Sequence, residues 1–343
     1  MLSERNPGER ARMTDVAARA GVSKSTVFRA LNHRAGVDPR VKERVLAAAR
    51  ELGYAIERNR RHTEGAVGIV MPANPFYFWH EALRGMEARE RPEHPLIVGL
   101  YATTHSEADA LACLESVVDQ GARLLIVTPT VQPAVARRLA QLPIPIVYFN
   151  EVADPPALFY AGTDFAADGL RLARACAGCL RTHPRLLQIS SSPLPMVCRR
   201  DGAFRREAER LTPGLRWVGD VSVEPFTAAL LPSQLARRLH EGYGDAFDAV
   251  YVSQGHLPQV CLALHKLGLE DRVRVIGFEN PRQTAAYGRS GLICALIQQD
   301  PFAQGAACLE AAYRWLDRGE LPAGGLVYAP SKLLRFEAGE EEI

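Results

Sequence analysis

Long apolar runs are missing from this sequence of 343 residues. No segment reaches the roughly 18 uninterrupted apolar residues that a membrane helix requires. The opening residues, MLSERNPGERARM, hold no apolar stretch like that of a secretory signal. The seven cysteines are scattered and odd in number, which favours reduced thiols over a disulfide framework. We therefore expect a cytoplasmic protein.

Motifs for catalysis and cofactor binding are also missing. The chain has no G-x-S-x-G nucleophile elbow and no G-x-x-x-x-G-K-[ST] phosphate loop. Its nine histidines show no ligand spacing, and the Cys176-x-x-Cys179 pair has no second pair to complete a zinc site. We expect these two thiols to be buried, and we expect no metal, no cofactor and no enzymatic activity.

Charge is present but unevenly distributed. Residues 1–62 contain 14 Lys and Arg against 7 Asp and Glu, whereas the remainder contains 27 basic and 32 acidic residues. The apolar and charged fractions, 47% and 23%, are those of an ordinary globular protein. A basic head on a mildly acidic body suggests that the head meets a polyanion, although a solvated basic arm would show the same asymmetry.

Residues 13–53 predict three short helices. Apolar residues at helical spacing mark the first helix, and Gly21 then allows a sharp turn. Ser23 is a good N-cap for a second helix, and Asp38 with Pro39 begins a third that ends at Gly53. This arrangement is typical of a helix-turn-helix domain, although a three-helix cap with a basic face has the same pattern.

Basic and hydroxyl side chains fall on the outward face of the second helix. Lys24, Ser25 and Arg29 face away from its apolar residues, and an arginine there can bond the guanine edge in a major groove. Ser23 and Thr26 lie near the helix start, where hydroxyl and backbone N–H groups contact phosphates. The pattern therefore predicts DNA binding.

The run DVAARAGVSKSTVFRALN resembles the head of the lactose-repressor (LacI-type) family, whose usual run is DVAxxAGVSxxTVSRVLN, and the likeness continues through VDPRVKERVLAAARELGY. The resemblance implies a transcription regulator that reads bases through Lys24, Ser25 and Arg29. Phe28 departs from it, because the family usually has serine there. The full set of expected DNA-binding residues is Ser23, Lys24, Ser25, Thr26, Phe28, Arg29, Asn32, Arg58, Arg60 and Arg61.

The join between head and body is atypical of that family. Its members usually continue with proline-asparagine and a helix whose leucine enters the minor groove, whereas this chain reads YAIERNRRHTEG. We expect Arg58, Arg60 and Arg61 to contact phosphates or a narrow minor groove, with little or no leucine wedge. An unstructured basic tether fits the sequence equally well.

The body alternates eight short apolar runs with longer segments of helical periodicity. These runs are AVGIVM, LIVGLY, ARLLIVT, IPIVYFN, RLLQIS, DAVYVS, RVRVIGF and LICALI. The alternation predicts an α/β fold with doubly wound parallel sheets, and the length fits two lobes, although no internal repeat is evident. The expected domains are a disordered arm (1–12), the helix-turn-helix domain (13–56), a short hinge or linker (57–64) and a two-lobed body (65–343).

Polar and aromatic residues follow several of these strands, where doubly wound folds bind ligands. The body resembles the type I periplasmic sugar-binding fold, most closely its ribose-type branch, in NPFY, IPIVYFN, the R-x-x-G of Arg199 to Gly202, VIGFEN and QQDP. Each residue taken singly also fits a polar loop or a helix cap. The effector-binding residues that the resemblance implies are Asn74, Phe76, Tyr77, Asn150, Arg199, Ser253, Gln254, Glu279 and Gln299.

Three departures from that family bear on the effector. Asn150 replaces a common aspartate, Ser253-Gln254 replaces Asn-Asp, and Glu279 replaces Asp. A longer side chain at 279 shortens the cavity by about 1 Å, and an amide at 150 makes it less negative. The resulting hypothesis is an effector smaller or more anionic than free ribose.

Together these features predict a transcriptional regulator, with repression the favoured mode, that responds to a small polar effector, most simply a sugar or sugar derivative. One recognition helix reads few base pairs, so we expect a homodimer, or a higher oligomer, on operator DNA in the bacterial nucleoid. A transport receptor and an enzyme are the rival classes. The first would have no use for the basic head, and the second would need a nucleophile, a general base or a cofactor loop.

Overall fold

The computed structural model describes residues 13–31, 38–52, 65–73, 77–102, 107–128, 133–153, 156–180, 182–190, 194–223, 232–279 and 281–336. The expected disordered arm at 1–12 and linker at 57–64 lie outside these ranges. Within them, no helix is long and apolar enough to cross a membrane.

The described part of the head forms three helices, as expected from the sequence: α1 (Met13–Ala20), α2 (Lys24–Leu31) and α3 (Pro39–Glu51). Their apolar residues form one small core in which Val16, Val27 and Val45 are fully buried. Gly21 between α1 and α2 has a positive φ of 65°, a conformation that glycine adopts without steric cost.

The body contains twelve strands and nine longer helices within the described ranges. The strands are β1 (Val67–Ala73), β2 (Leu96–Ala102), β3 (Leu124–Val127), β4 (Ile146–Phe149), β5 (Phe159–Gly162), β6 (Arg185–Ser190), β7 (Arg216–Ser222), β8 (Ala249–Val252), β9 (Arg274–Phe278), β10 (Ile293–Gln298), β11 (Leu326–Tyr328) and β12 (Lys332–Arg335). The helices are α4 (Tyr77–Glu87), α5 (Glu107–Asp119), α6 (Pro133–Gln141), α7 (Phe165–Cys176), α8 (Pro195–Leu211), α9 (Pro232–Tyr243), α10 (Leu257–Lys266), α11 (Pro281–Arg289) and α12 (Pro301–Arg318).

The strands form two six-stranded sheets with the same order. Lobe 1 has the order β11-β5-β4-β3-β1-β2, and lobe 2 has β12-β10-β9-β8-β6-β7. All neighbours pair in parallel except β10 and β12, which are antiparallel. The predicted α/β class and the two parallel lobes are therefore confirmed.

All eight apolar runs contain strands, whereas four strands were not predicted. Three of them, β7, β11 and β12, lie at sheet edges and are largely half-buried or exposed, so they lack a continuous apolar run. The fourth, β5, is fully buried but has only four residues. Short and edge strands carry too few apolar residues to be distinguished from loops by composition.

The chain crosses between the lobes three times, and two helices pack on the lobe opposite to their preceding strand. After β5 of lobe 1, α7 packs against α8 in the core of lobe 2; after β10 of lobe 2, α12 packs against α4 in lobe 1. The third crossing leads from β11 to β12. These crossings bring the carboxyl ends of both sheets to one cavity.

Candidate effector cavity and DNA-binding head

The described part of the head presents a capped, basic second helix. The Ser23 Oγ accepts a hydrogen bond from the Thr26 backbone N–H at 3.1 Å and lies 2.8 Å from the Thr26 hydroxyl. Val27 and Ala30 are buried, and Lys24 is exposed. The helix therefore turns its apolar face inward and leaves Lys24 outward, as a recognition helix requires.

Seven of the expected DNA-binding residues cannot be placed. Asn32, Arg58, Arg60 and Arg61 lie outside the described residues, and so do the side chains of Ser25, Phe28 and Arg29. Their roles stay predictions.

A cavity lies between the lobes at the carboxyl ends of both sheets. The empty space inside it, counted together with the part open to solvent, is about 800 Å³. The lining residues are Phe78, Trp79, Thr128, Asn150, Glu151, Phe165, Leu194, Val197, Arg200, Gln254, Gly255, His256, Glu279 and Gln299.

Four of the nine expected effector residues line this cavity: Asn150, Gln254, Glu279 and Gln299. Three others do not. Tyr77 is 56% exposed at the start of α4, and Ser253 is fully buried behind the wall. Arg199 is exposed on α8. Asn74 and Phe76 lie outside the described residues.

The arginine of the cavity is Arg200, not the expected Arg199. On α8 the buried positions fall at 200, 203, 204, 207 and 208, which is the spacing of one helix face. Arg199 is one position off this face and points to solvent. The arginine of the R-x-x-G match therefore lies outside this cavity, and its role as an effector contact stays a prediction.

Arg200 is held in place by backbone and aromatic groups. Its Nη2 donates a hydrogen bond to the Ser253 carbonyl oxygen. Its guanidinium lies 3.6 Å from the ring centroid of Phe278 and 5.0 Å from that of Phe165, within the range of a cation–π contact. The side chain is 2% exposed, and its Nε has no hydrogen-bond partner among the described residues.

Ser253 belongs to a layer behind Arg200. Its hydroxyl donates to Asp201 at 2.7 Å, and the Tyr251 hydroxyl donates to the same carboxylate at 2.7 Å. Burial raises the pKa of Asp201, while the charge of Arg200 acts in the opposite direction. Ser253 therefore contacts Asp201 through its hydroxyl and Arg200 through its carbonyl oxygen, and its role as an effector contact stays a prediction.

Asn150 and Glu279 occupy equivalent corners of the two lobes, directly after β4 and β9. Both have positive φ, 61° and 78°, which is uncommon outside glycine and recurs at functional sites. Gln299 donates a hydrogen bond to the Glu279 carboxylate and accepts one from Gln304 at 3.0 Å. Burial raises the pKa of Glu279, against the charge of Arg200.

Glu151 was missed by the sequence prediction although it follows Asn150. It is 3% exposed, and its Oε1 accepts hydrogen bonds from the backbone N–H groups of Val152 and Met196, each at 2.9 Å. Burial raises its pKa to about 7. Its position beside a predicted strand-end residue was the available signal. Glu151 thus adds a carboxyl group next to Asn150, and the hypothesis of a less negative cavity stays a prediction.

The walls combine aromatic faces with unpaired polar atoms. Phe78, Trp79 and Phe165 supply the rings, and the buried Thr128 Oγ1 and Asn150 Oδ1 have no hydrogen-bond partner in the part of the chain that the structure describes. Such a lining suits a small molecule with hydroxyl groups and apolar C–H faces. In the described part of the chain, no group of three His, Cys, Asp or Glu side chains is arranged to hold a metal ion.

Two family models match the chain. One, described as a periplasmic binding protein domain, matches residues 67–321, and one for bacterial regulatory proteins of the lacI family matches residues 12–56. The regulator GntR of Pseudomonas aeruginosa is 29% identical over 58% of this chain and 58% of its own length. The ribose operon repressor of Escherichia coli is 35% identical over 36% of this chain and 39% of its length, and the Streptomyces lividans regulator reg1 is 37% identical over 32% of each. The matched segments thus span at most 58% of these three relatives.

Solved structures share the fold at low identity. A lac repressor dimer bound to operator and an anti-inducer has a TM-score of 0.66 at 18% identity, covering 96% of this chain and 98% of its own. An Actinobacillus succinogenes solute-binding protein with bound D-allose has a TM-score of 0.66 at 17% identity, covering 79% of this chain and 98% of its own. The chain therefore belongs, over most of its length, to the family described as periplasmic binding protein domain, and its head is a DNA-binding domain of the lacI family of bacterial regulatory proteins.

Proposed function

We propose that this protein is a sequence-specific DNA-binding transcriptional regulator whose operator affinity is controlled by a small polar effector. The observation that carries the proposal is the pairing of two sites in one chain. One is a helix-turn-helix head with Lys24 outward and Val27 inward, and the other is a cavity between two lobes. The names of the curated relatives, which include the ribose operon repressor, support this assignment.

The effector of this proposal is a sugar or a sugar derivative. Aromatic faces stack on sugar C–H surfaces, and amides, carboxylates and an arginine bond neighbouring hydroxyl groups. The cavity offers Trp79, Asn150, Arg200 and Glu279 for these contacts. A coupling free energy of about 1–3 kcal/mol between the two sites would change operator affinity by 5–150-fold.

The proposal includes a homodimer that represses transcription in the cytoplasm, without a catalytic step. Two heads related by a two-fold axis read two half-sites, and this multiplies the discrimination that one α2 helix provides. Closure of the lobes on an effector would change the spacing of the heads.

A gel shift on the region upstream of the protein's own gene tests the DNA-binding role. Arg29→Ala should weaken binding by about 1–3 kcal/mol per half-site, because an arginine contact to a base edge is lost. Arg237→Ala, which removes an exposed arginine of the body, is the matched control and should leave binding unchanged. A shift that survives removal of residues 1–62 would contradict the proposal.

A further inference from the structure

Glu151 connects the two lobes across the cavity. It follows β4 in lobe 1, and its carboxylate accepts the backbone N–H of Met196, the second residue of α8 in lobe 2, at 2.9 Å. The N-cap residue of α8, Leu194, has no side-chain hydrogen bond of its own. Glu151 therefore caps a helix of the opposite lobe.

This end of α8 is the electropositive wall of the cavity. A helix N-terminus carries a partial positive charge and binds anions. Arg200 lies on the same helix, is 2% exposed and lines the cavity, and its buried Nε has no hydrogen-bond partner among the residues that the structure describes. Without Glu151, this wall would suit a phosphate or carboxylate group of a ligand.

Two carboxyl groups share the cavity with Arg200. Glu151 and Glu279 line it on opposite lobes; burial raises the pKa of each, and the charge of Arg200 acts in the opposite direction. An anionic ligand would have to enter beside them, and like charges at short range repel in a partly desolvated site.

From this geometry we propose that Glu151 is a specificity-determining residue that occupies the anion position of the cavity and selects uncharged polyols over phosphorylated or carboxylated ones. The inference rests on the proposed effector role of the cavity. It replaces the expectation of a more anionic effector, which had considered position 150 alone.

The test compares ligand pairs on the full-length protein by calorimetry at pH 8, above the pKa of about 7 at which Glu151 ionises. Each pair consists of a neutral pentose or hexose and its phosphate ester or sugar acid. The wild type should prefer the neutral member. Glu151→Gln removes only the charge and Glu151→Ala also removes the side chain; each should shift the preference toward the anion by about tenfold or more, with the larger shift for alanine.

Glu107→Gln is the matched control. Glu107 accepts the backbone N–H of Ala134, the second residue of α6, and so caps a helix in the same way without lining the cavity. Its substitution should leave the preference unchanged. If Glu151→Ala fails to fold, as judged by circular dichroism, Glu151→Gln decides.

Two results would overturn the inference: a wild type that binds the anionic member more tightly, or an unchanged preference in the folded Glu151 variants. If no sugar of the panel binds the wild type, inorganic phosphate decides, because Glu151→Ala should bind it more tightly than the wild type and Glu107→Gln. Equal phosphate binding by all three would refute the assignment. Gel shifts on the same variants report on DNA binding separately, so failure of the regulator role is recognised independently.

Discussion

The two lobes of the body share a scaffold but differ in chemistry. In each lobe, the helix after the first strand packs against the helix that arrives from the other lobe: α4 with α12 in lobe 1, and α8 with α7 in lobe 2. The sixth residue of α4 is Ala82, whereas the sixth residue of α8 is Arg200. The same helix position is thus a small packing residue in one lobe and the buried cation of the cavity in the other.

The corners after β4 and β9 show the same division. Asn150 and Glu279 both have positive φ, and their backbone N–H groups donate to equivalent strands, β5 and β10. Only the side chain differs, an amide in lobe 1 and a carboxylate in lobe 2. The backbone of the cavity is thus duplicated, whereas the side chains at these equivalent positions differ.

The largest predicted effect tests the shared helix packing. An added Cβ at Gly169 would lie 2.3 Å from the Arg200 carbonyl oxygen, and one at Gly305 would lie 2.0 Å from that of Ala82. Gly169→Ala and Gly305→Ala should each lower the free energy of unfolding by about 3 kcal/mol, because backbone of the facing helix must move. Chemical denaturation measures the loss.

Gly242→Ala on α9 is the control, since a Cβ there meets nothing within 4 Å. It should leave stability unchanged or raise it by up to about 1 kcal/mol, as expected for alanine in a helix. If Gly169→Ala and Gly305→Ala behaved like this control, the close approach in both lobes would be refuted.

Gly169 and Gly305 also belong to a short motif that the two lobes share and that the sequence alone does not reveal. The segments Asp164 to Gly169 (DFAADG) and Asp300 to Gly305 (DPFAQG) are the same motif, an N-cap aspartate and a contact glycine five residues later. The repeat is six residues long in segments that differ elsewhere, so it becomes visible only when the topology aligns them. The two-lobed fold itself was predictable, because eight buried strands have strong apolar runs.

The site was predictable to the level of strand ends but not of single side chains. The carboxyl ends of parallel strands meet at one edge, and this correctly placed Asn150, Gln254, Glu279 and Gln299 at the cavity. The short R-x-x-G match predicts Arg199, whereas the register of α8 turns Arg200 toward the cavity. Glu151 was not identified, because its role depends on α8, whose first turn lies 45 residues later in the chain.

Measuring the free energy of unfolding against pH tests the burial of the Glu151 carboxyl group in lobe 1. The pKa of Glu151 is raised from 4.5 to about 7 in the folded protein. The folded state therefore binds the extra proton between these values, and its stability falls as pH rises through this window. Glu151→Gln should lack this contribution and should gain about 1–2 kcal/mol of stability relative to the wild type between pH 5 and pH 8. If the difference in free energy of unfolding between Glu151→Gln and the wild type stayed constant from pH 5 to pH 8, burial of Glu151 would be contradicted.

The smallest predicted effects distinguish the roles of two neighbouring residues in lobe 2, Ser253 and Gln254. Ser253→Ala removes a hydroxyl that donates to Asp201 and should cost about 1 kcal/mol of stability, with effector affinity changed by less than about threefold. Gln254→Ala should lower effector affinity by more than about threefold and cost less than about 1 kcal/mol of stability, because Gln254 lines the cavity. Thermal unfolding measures the stability of both variants, and calorimetry measures their effector affinity. A larger loss of affinity for Ser253→Ala than for Gln254→Ala would assign the effector contact to Ser253.

The most direct test of the account is the ligand response of operator binding in Arg199→Ala and Arg200→Ala. Operator affinity of the full-length protein is measured by fluorescence anisotropy with and without the tightest ligand of the sugar panel. The wild type and Arg199→Ala should change operator affinity by about 5–150-fold on ligand binding. Arg200→Ala should bind operator without this response, since the buried cation of the cavity is lost. A full response in Arg200→Ala together with its loss in Arg199→Ala would contradict the account.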